Sequence, residues 1–178
     1  MQTVFTATLR GVEAVPCEVE ADISGGLCSV DVVGLAEGAV REARTRVRAA
    51  IVNTGFHFPM GRVAVNLAPA SSRKEGTGFD LPIAMAALAA HGDLDKARLH
   101  EILVVGELSL DGSVRPVRGA LLAAEAAKKA GCKIVGVARE NGAEAAWGFG
   151  GLGRSVSHLR DVVRWLAGCE PAAGVAIL

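Results

Sequence analysis

The residues best placed to do chemistry lie in one short run, SSRKEGTGFDLP, residues 71 to 82. It sets the hydroxyls of Ser71, Ser72 and Thr77 beside Arg73, Lys74 and Asp80, with Gly76 and Gly78 between them. Three chemistries compete for it. A phosphate loop needs G-x-x-x-x-G-K-[ST], so that backbone amides cradle phosphates and the lysine reaches the terminal one. Here Lys74 precedes the glycines and no other segment fits, so nucleotide hydrolysis is not expected of this chain. A glycine loop opening a helix can hold an anion on free amides and the helix dipole, helped by Arg73 and Lys74. Asp80, at the expected cap position, would occupy part of that site. Nucleophilic attack by Ser71, Ser72 or Thr77 needs a base within hydrogen-bond reach, and a lysine serves only when burial strips its proton. In an exposed Ser-Arg-Lys-Glu run Lys74 would keep it. The plain alternative is a glycine turn that starts a buried helix.

A second constellation is Arg41, Arg44 and Arg48, spaced i, i+3, i+7 on one stripe of an expected helix, with Arg46 apart. Three guanidinium groups in a row suit phosphates, and copies in a ring would multiply the effect. The competing reading is a solvated face, partly paired with Glu37 and Glu42, or a contact with a neighbouring subunit. Cys17, Cys28, Cys132 and Cys169 show no paired zinc spacing, and His57, His91, His100 and His158 form no H-E-x-x-H pair, so no metal site is expected. The five Phe and two Trp are scattered and not interleaved with basic residues, which argues against a stacking platform for single strands.

The elements that position these residues follow from periodicity. Residues 3 to 9, 15 to 23 and 28 to 33 alternate or run apolar between glycine breaks and predict a three-stranded antiparallel opening. Val40, Ala43, Val47, Ala50 and Ile51 then predict a helix from Glu37 that stops at Gly55. Residues 62 to 67 predict a strand that leads into the glycine loop. LPIAMAALAAH predicts a helix buried on all sides, with Asp80 as its cap and Pro82 in its first turn. ILVVGELSL, the Asp111-Gly112 turn and SVRPV predict a hairpin-like pair. Residues 118 to 130 predict an amphipathic helix stopped by Gly131, KIVGV a buried strand, and 158 to 167 a last helix ended by Gly168. Strands first and mixed elements later predict a two-layer α+β domain over residues 1–168, with 169–178 as a tail.

The composition fits such a domain. It is 51% apolar, but rich in small aliphatics, with no Tyr. Nineteen basic residues balance nineteen acidic ones, which removes any bulk field toward nucleic acid or membrane. The sequence shows neither a signal-peptide pattern nor a long apolar run, and a cytoplasmic location is expected.

Three long motifs carry a resemblance. VAVNLAPASSRKEGTGFDLPIAMAALAA, preceded by VDVVGLAEGAVREARTRVRAAIVNTGFHFP and followed by VVGELSLDGSVRPVRGALLAA, closely resembles the N-terminal domain of the ComM family, the magnesium-chelatase-like AAA+ ATPases. The resemblance implies a ribosomal-protein-S5-domain-2-like fold, similar to the Lon protease domain. It also implies an AAA+ module absent from this chain, with ATP and Mg bound there and no cofactor here. The family's function implies a hexameric motor on DNA, working in branch migration during natural transformation. Laid on the Lon motif K-D-G-P-S-A-G, KEGTGFD puts Gly78 at the nucleophile. VRPVRGALLA, laid on V-L-P-I-G-G-L-K-E-K, puts Leu121 at the dyad lysine. Both halves of the dyad are replaced, which implies a non-catalytic scaffold whose loop, with Lys74, Gly76 and Asp80, shapes a helix start and a ring interface. The rivals are a residual peptidase using Ser71, Ser72 or Thr77, and magnesium chelation for tetrapyrrole synthesis.

Overall fold

The computed structural model describes residues 1–70, 74, 76–94, 96–150, 153–166 and 174–175. Strands β1 (Gln2–Arg10), β2 (Glu13–Ser24) and β3 (Ser29–Val33) come first, then helix α1 (Glu37–Asn53), strand β4 (Arg62–Ala68) and helix α2 (Asp80–His91). Next come β5 (Ile102–Val104), the short pair β6 (Glu107–Leu108) and β7 (Val114–Arg115), and α3 (Ala120–Lys129). The chain goes on through β8 (Ile134–Ala138), α4 (Gly142–Phe149), β9 (Gly153–Val156), α5 (Leu159–Leu166) and β10 (Gly174–Val175). Eight strands form one mixed sheet in the order β10-β9-β8-β5-β1-β2-β4-β3, and β6 pairs with β7 apart from it.

The opening departs from the expected antiparallel trio. β1 and β2 pair antiparallel, but β3 pairs parallel with β4, which itself lies antiparallel against β2. The helix α1 supplies the reason: a strand, a crossover helix and a strand form a parallel pair, whereas a tight turn would have made a hairpin. Four of the residues that predicted this helix, Ala43, Val47, Ala50 and Ile51, are buried.

Two layers describe only part of the molecule. On β1, Val4 points to the core shared with α1, α2 and α5, while Phe5 and Ala7 pack against the second core with α3 and α4. On β5, Ile102 and Val104 join the first core and Leu103 the second, as does Val105 just beyond the strand. A short run buried on both faces is what a parallel strand between helical layers requires. The expected two-layer arrangement is thus corrected to three layers over β1, β5 and β8. Over β2, β4 and β3 the second face carries Glu18, Asp22, Arg62 and Asn66, all exposed.

Helix α2 is buried as its all-round apolar pattern predicts, with Asp80 through Ala89 under cover. Its end is set by Gly92, whose φ of 105° is left-handed and closes the last turn on Leu88. α4 and β9 went unread in the sequence. Of the expected tail, Gly174 and Val175 pair antiparallel with β9.

One turn admits no side chain. Gly61 has φ +116°, and a Cβ there would sit 2.4 Å from the Ser24 carbonyl oxygen. Gly61→Ala is expected to cost more than about 1 kcal/mol of stability, because both the conformation and the contact are backbone-imposed. A urea midpoint unchanged from wild type would refute this.

Candidate functional site

Two concave regions matter, and they lie on different elements. The first is a groove of about 710 Å³ between α1 and the edge strand β3, lined by Arg41, Arg44 and Arg48 with Cys28, Ser29 and Val52. The stripe read from the sequence therefore opens onto a groove. Arg48 is held by its surroundings: its guanidinium lies 5.4 Å from the Phe58 ring centroid, and Nη1 is 3.7 Å from Cys28 Sγ. Asn53 Nδ2 donates to the Leu110 carbonyl at 2.8 Å and ties the end of α1 down. Among the described residues none of the three arginines enters an ion pair. Glu42, one expected partner, is 3.5 Å from Arg46 instead. Three cations facing one groove without internal anions favour an external one.

Arg46, which stood apart in the sequence, has a structural task. Its Nε donates to Asp80 Oδ2 at 2.6 Å and its Nη2 to Oδ1 at 3.2 Å. The Leu108 amide also donates to Asp80, at 3.2 Å. Asp80 is therefore not the helix cap that its position predicts. Phe79 holds the cap position without a side-chain bond, and the Asp80 carboxylate is buried as the counter-ion of Arg46. Burial pushes the Asp80 carboxyl up from its ordinary value, while Arg46 and the Leu108 amide pull the other way; bonding to Asp80 holds the Arg46 guanidinium more firmly protonated.

The second concavity, about 540 Å³, lies where the Gly76–Phe79 loop meets the connection into α3. Gly78 lines it, and a Cβ there would find only Val117 Cγ1 at 3.7 Å, so its lack of a hydroxyl is a matter of residue type and not of space. The loop is stitched in place by the backbone. Gly106 donates to the Gly78 carbonyl at 3.0 Å, and Leu81 to the Gly106 carbonyl at 3.0 Å. Asn141 clasps Val117 through both amide atoms, and Glu144 accepts from the Leu121 amide at 3.1 Å, which fixes the start of α3. Thr77 lines the cleft, but Leu121 does not. The described lining contains no Ser, Cys, His or Lys, and its ionisable groups are Glu107 and Arg118.

Lys74 corrects the reading of an exposed basic run. It is 2% exposed, and its Nζ donates to the Pro69 carbonyl at 2.5 Å. Its charge reaches the Cys17 thiol, which burial pushes up and Lys74 pulls down. The amine is thus committed inward and not offered to an anion at the start of α2. Ser71, Ser72 and Arg73, proposed as nucleophiles and as an anion ligand, lie outside the described residues. Among the described residues no group of His, Cys, Asp or Glu could hold a metal ion, and no helix is long and apolar enough to cross a membrane.

Comparison with known proteins places this geometry. The family described as subunit ChlI of Mg-chelatase matches residues 19–141. An uncharacterized protein of Mycobacterium tuberculosis is 43% identical over 170 residues, covering 96% of this chain and 34% of its own length. The uncharacterized protein YifB of Escherichia coli is 44% identical over 168 residues, 94% of this chain and 33% of its own. Competence protein ComM of Haemophilus influenzae is 40% identical over 167 residues, again 94% and 33%. The chain thus spans about a third of the length of the curated relatives it matches.

Proposed function

We propose, from the premise that this chain belongs to the ChlI family of Mg-chelatase subunits, that it is a non-catalytic scaffold and oligomerisation domain of an ATP-driven machine acting on DNA. The observation that carries this reading is the arginine groove: Arg41, Arg44 and Arg48 face one channel without an internal ion-pair partner, among the described residues. Phosphates meet them as a row of anions, giving affinity without base selection. The name of the Haemophilus influenzae relative, a competence protein, points to DNA taken up by cells as the substrate, and branch migration by a hexameric ring is the activity proposed for the whole machine.

The family implies ATP and Mg, but the residues here do not fit them. The sequence has no phosphate loop, and the described residues offer no acidic cluster for a cation. We therefore assign ATP to sequence outside this chain, consistent with relatives of about three times its aligned length. A Lon-like, S5-domain-2-like ancestry is part of the same proposal. Its support is a glycine loop and a second helix start opening on one cleft, with Gly78 in its lining; Leu121, which the sequence overlay puts at the position of the base, lies outside that lining.

Binding of labelled duplex DNA tests the reading. Arg41→Ala, Arg44→Ala and Arg48→Ala together are expected to weaken binding and to flatten the log–log salt dependence by roughly 0.9 per arginine that neutralises a phosphate. Equal affinity of variant and wild type at two salt concentrations would sink it. Peptide turnover abolished by Thr77→Ala would replace it with the peptidase reading.

A further inference from the structure

The uncovered half of the sheet carries its own charged row. Glu18, Glu20 and Asp22 alternate along β2 with the buried Val19 and Ala21, so all three carboxylates stand on the face away from α1 and α2. Across the ladder they meet Ala68, Asn66 and Ala64 of β4, and Ala64 in turn pairs with Asp31 of β3. Four carboxylates thus share one face of β2 and β3, with Ala64 and Ala68 between them and Asn66 Nδ2 donating to Glu20 at 2.7 Å. Arg62, bonded to Asp31 at 2.6 Å, and the terminal amine, 3.0 Å from Asp22, balance only part of their charge.

We propose that this acidic sheet face docks into the arginine groove of a second copy of the chain and that DNA displaces it there. The proposal rests on the groove being a polyanion surface. Three features favour a second copy as the occupant. The charges are complementary, three guanidinium groups without an ion-pair partner among the described residues against a carboxylate row. The lengths agree: Arg41 to Arg48 spans about 10 Å at a helical rise of about 1.5 Å per residue, and Glu18 to Asp22 about 13 Å at about 3.3 Å per strand residue. Exposed apolar side chains border both surfaces, Leu27 and Val52 beside the groove and Val33 beside Asp31. The two surfaces lie on opposite faces of the sheet, so a copy cannot satisfy itself. The contact is head to tail, and its repetition gives a ring or an open filament, according to whether the rotation closes.

The test is sedimentation velocity on the 178-residue chain over a concentration series at low and high salt. Wild type is expected to self-associate, more weakly as salt rises. Glu18→Lys, Glu20→Lys and Asp22→Lys together, or Arg41→Glu, Arg44→Glu and Arg48→Glu together, are each expected to weaken association at least about tenfold, because like charges then meet. An equimolar mixture of the two variants is expected to associate where neither does alone, since the intact groove of one meets the intact carboxylate row of the other and the two reversed faces are complementary as well. Circular dichroism melts verify the fold, and should the lysine variant unfold, Glu18→Gln, Glu20→Gln and Asp22→Asn make the same comparison. Wild type that stays monomeric throughout the low-salt series, or a mixture that stays monomeric, overturns the proposal. DNA binding separates the two readings. An acidic-face variant that binds DNA while the arginine variant does not upholds the DNA surface whatever the association result, and association without DNA binding leaves the groove as a subunit contact alone.

Discussion

Asp80→Ala is expected to lower the free energy of unfolding by about 2–4 kcal/mol, the cost of breaking an ion pair whose carboxylate is buried and of leaving a buried amide without its acceptor. That is a large share of the roughly 5–15 kcal/mol by which a domain is usually stable. The argument is local. Asp80 is 1% exposed and accepts from both Arg46 Nε and Nη2 and from the Leu108 amide. Removing it leaves the half-buried Arg46 guanidinium with only Glu42, 3.5 Å away, as an ion-pair partner among the described residues, and the Leu108 amide without its acceptor. The double variant Arg46→Met with Asp80→Leu is expected to lose less than Asp80→Ala alone, because no charge is then left without its partner. Urea unfolding checks both, read as a shift of midpoint at constant slope. A single variant within about 0.5 kcal/mol of wild type would show that this pair is not structural.

Leu81→Ala carries the second large effect, about 2–5 kcal/mol, from lost burial and the cavity left behind. Leu81 is fully buried, its amide donates to the Gly106 carbonyl, and its Cδ2 would lie 3.3 Å from a Cβ built on Gly106. That packing is close because Gly106 has no side chain, so the backbone there leaves little slack to collapse into the hole. Since α2 is covered from Asp80 to Ala89, the loss should appear in global unfolding and not as local fraying. Denaturant unfolding with fluorescence and circular dichroism as parallel probes would check it. Two separate transitions, or a loss under about 1 kcal/mol, would contradict this account.

Both predictions concern residues whose partners are remote in sequence, and this marks where sequence reading succeeds and where it ends. Helix α1 was legible because Ala43, Val47, Ala50 and Ile51 recur at helical spacing, and α2 because its apolar run is too long and too alanine-rich for a strand. The β1–β2 ladder was legible from alternation. The pairing of β3 was not, since alternation tells which face is apolar and not which strand lies beside it. α4 and β9 are eight and four residues long, too short for a period to stand out, and their burial depends on α3 and β8.

For the candidate sites the division is similar. Residue identity alone determined that Gly78 carries no hydroxyl, that no phosphate loop is present, and that three arginines share one helical stripe. Tertiary structure alone decided that this stripe faces a groove walled by β3, that Lys74 turns inward to Pro69, and that Arg46 reaches Asp80 across 34 residues of chain. The physical reason is range. A helix or strand period is written by neighbours a few residues apart, whereas burial of a charge is set by which distant segments the packed core brings to it.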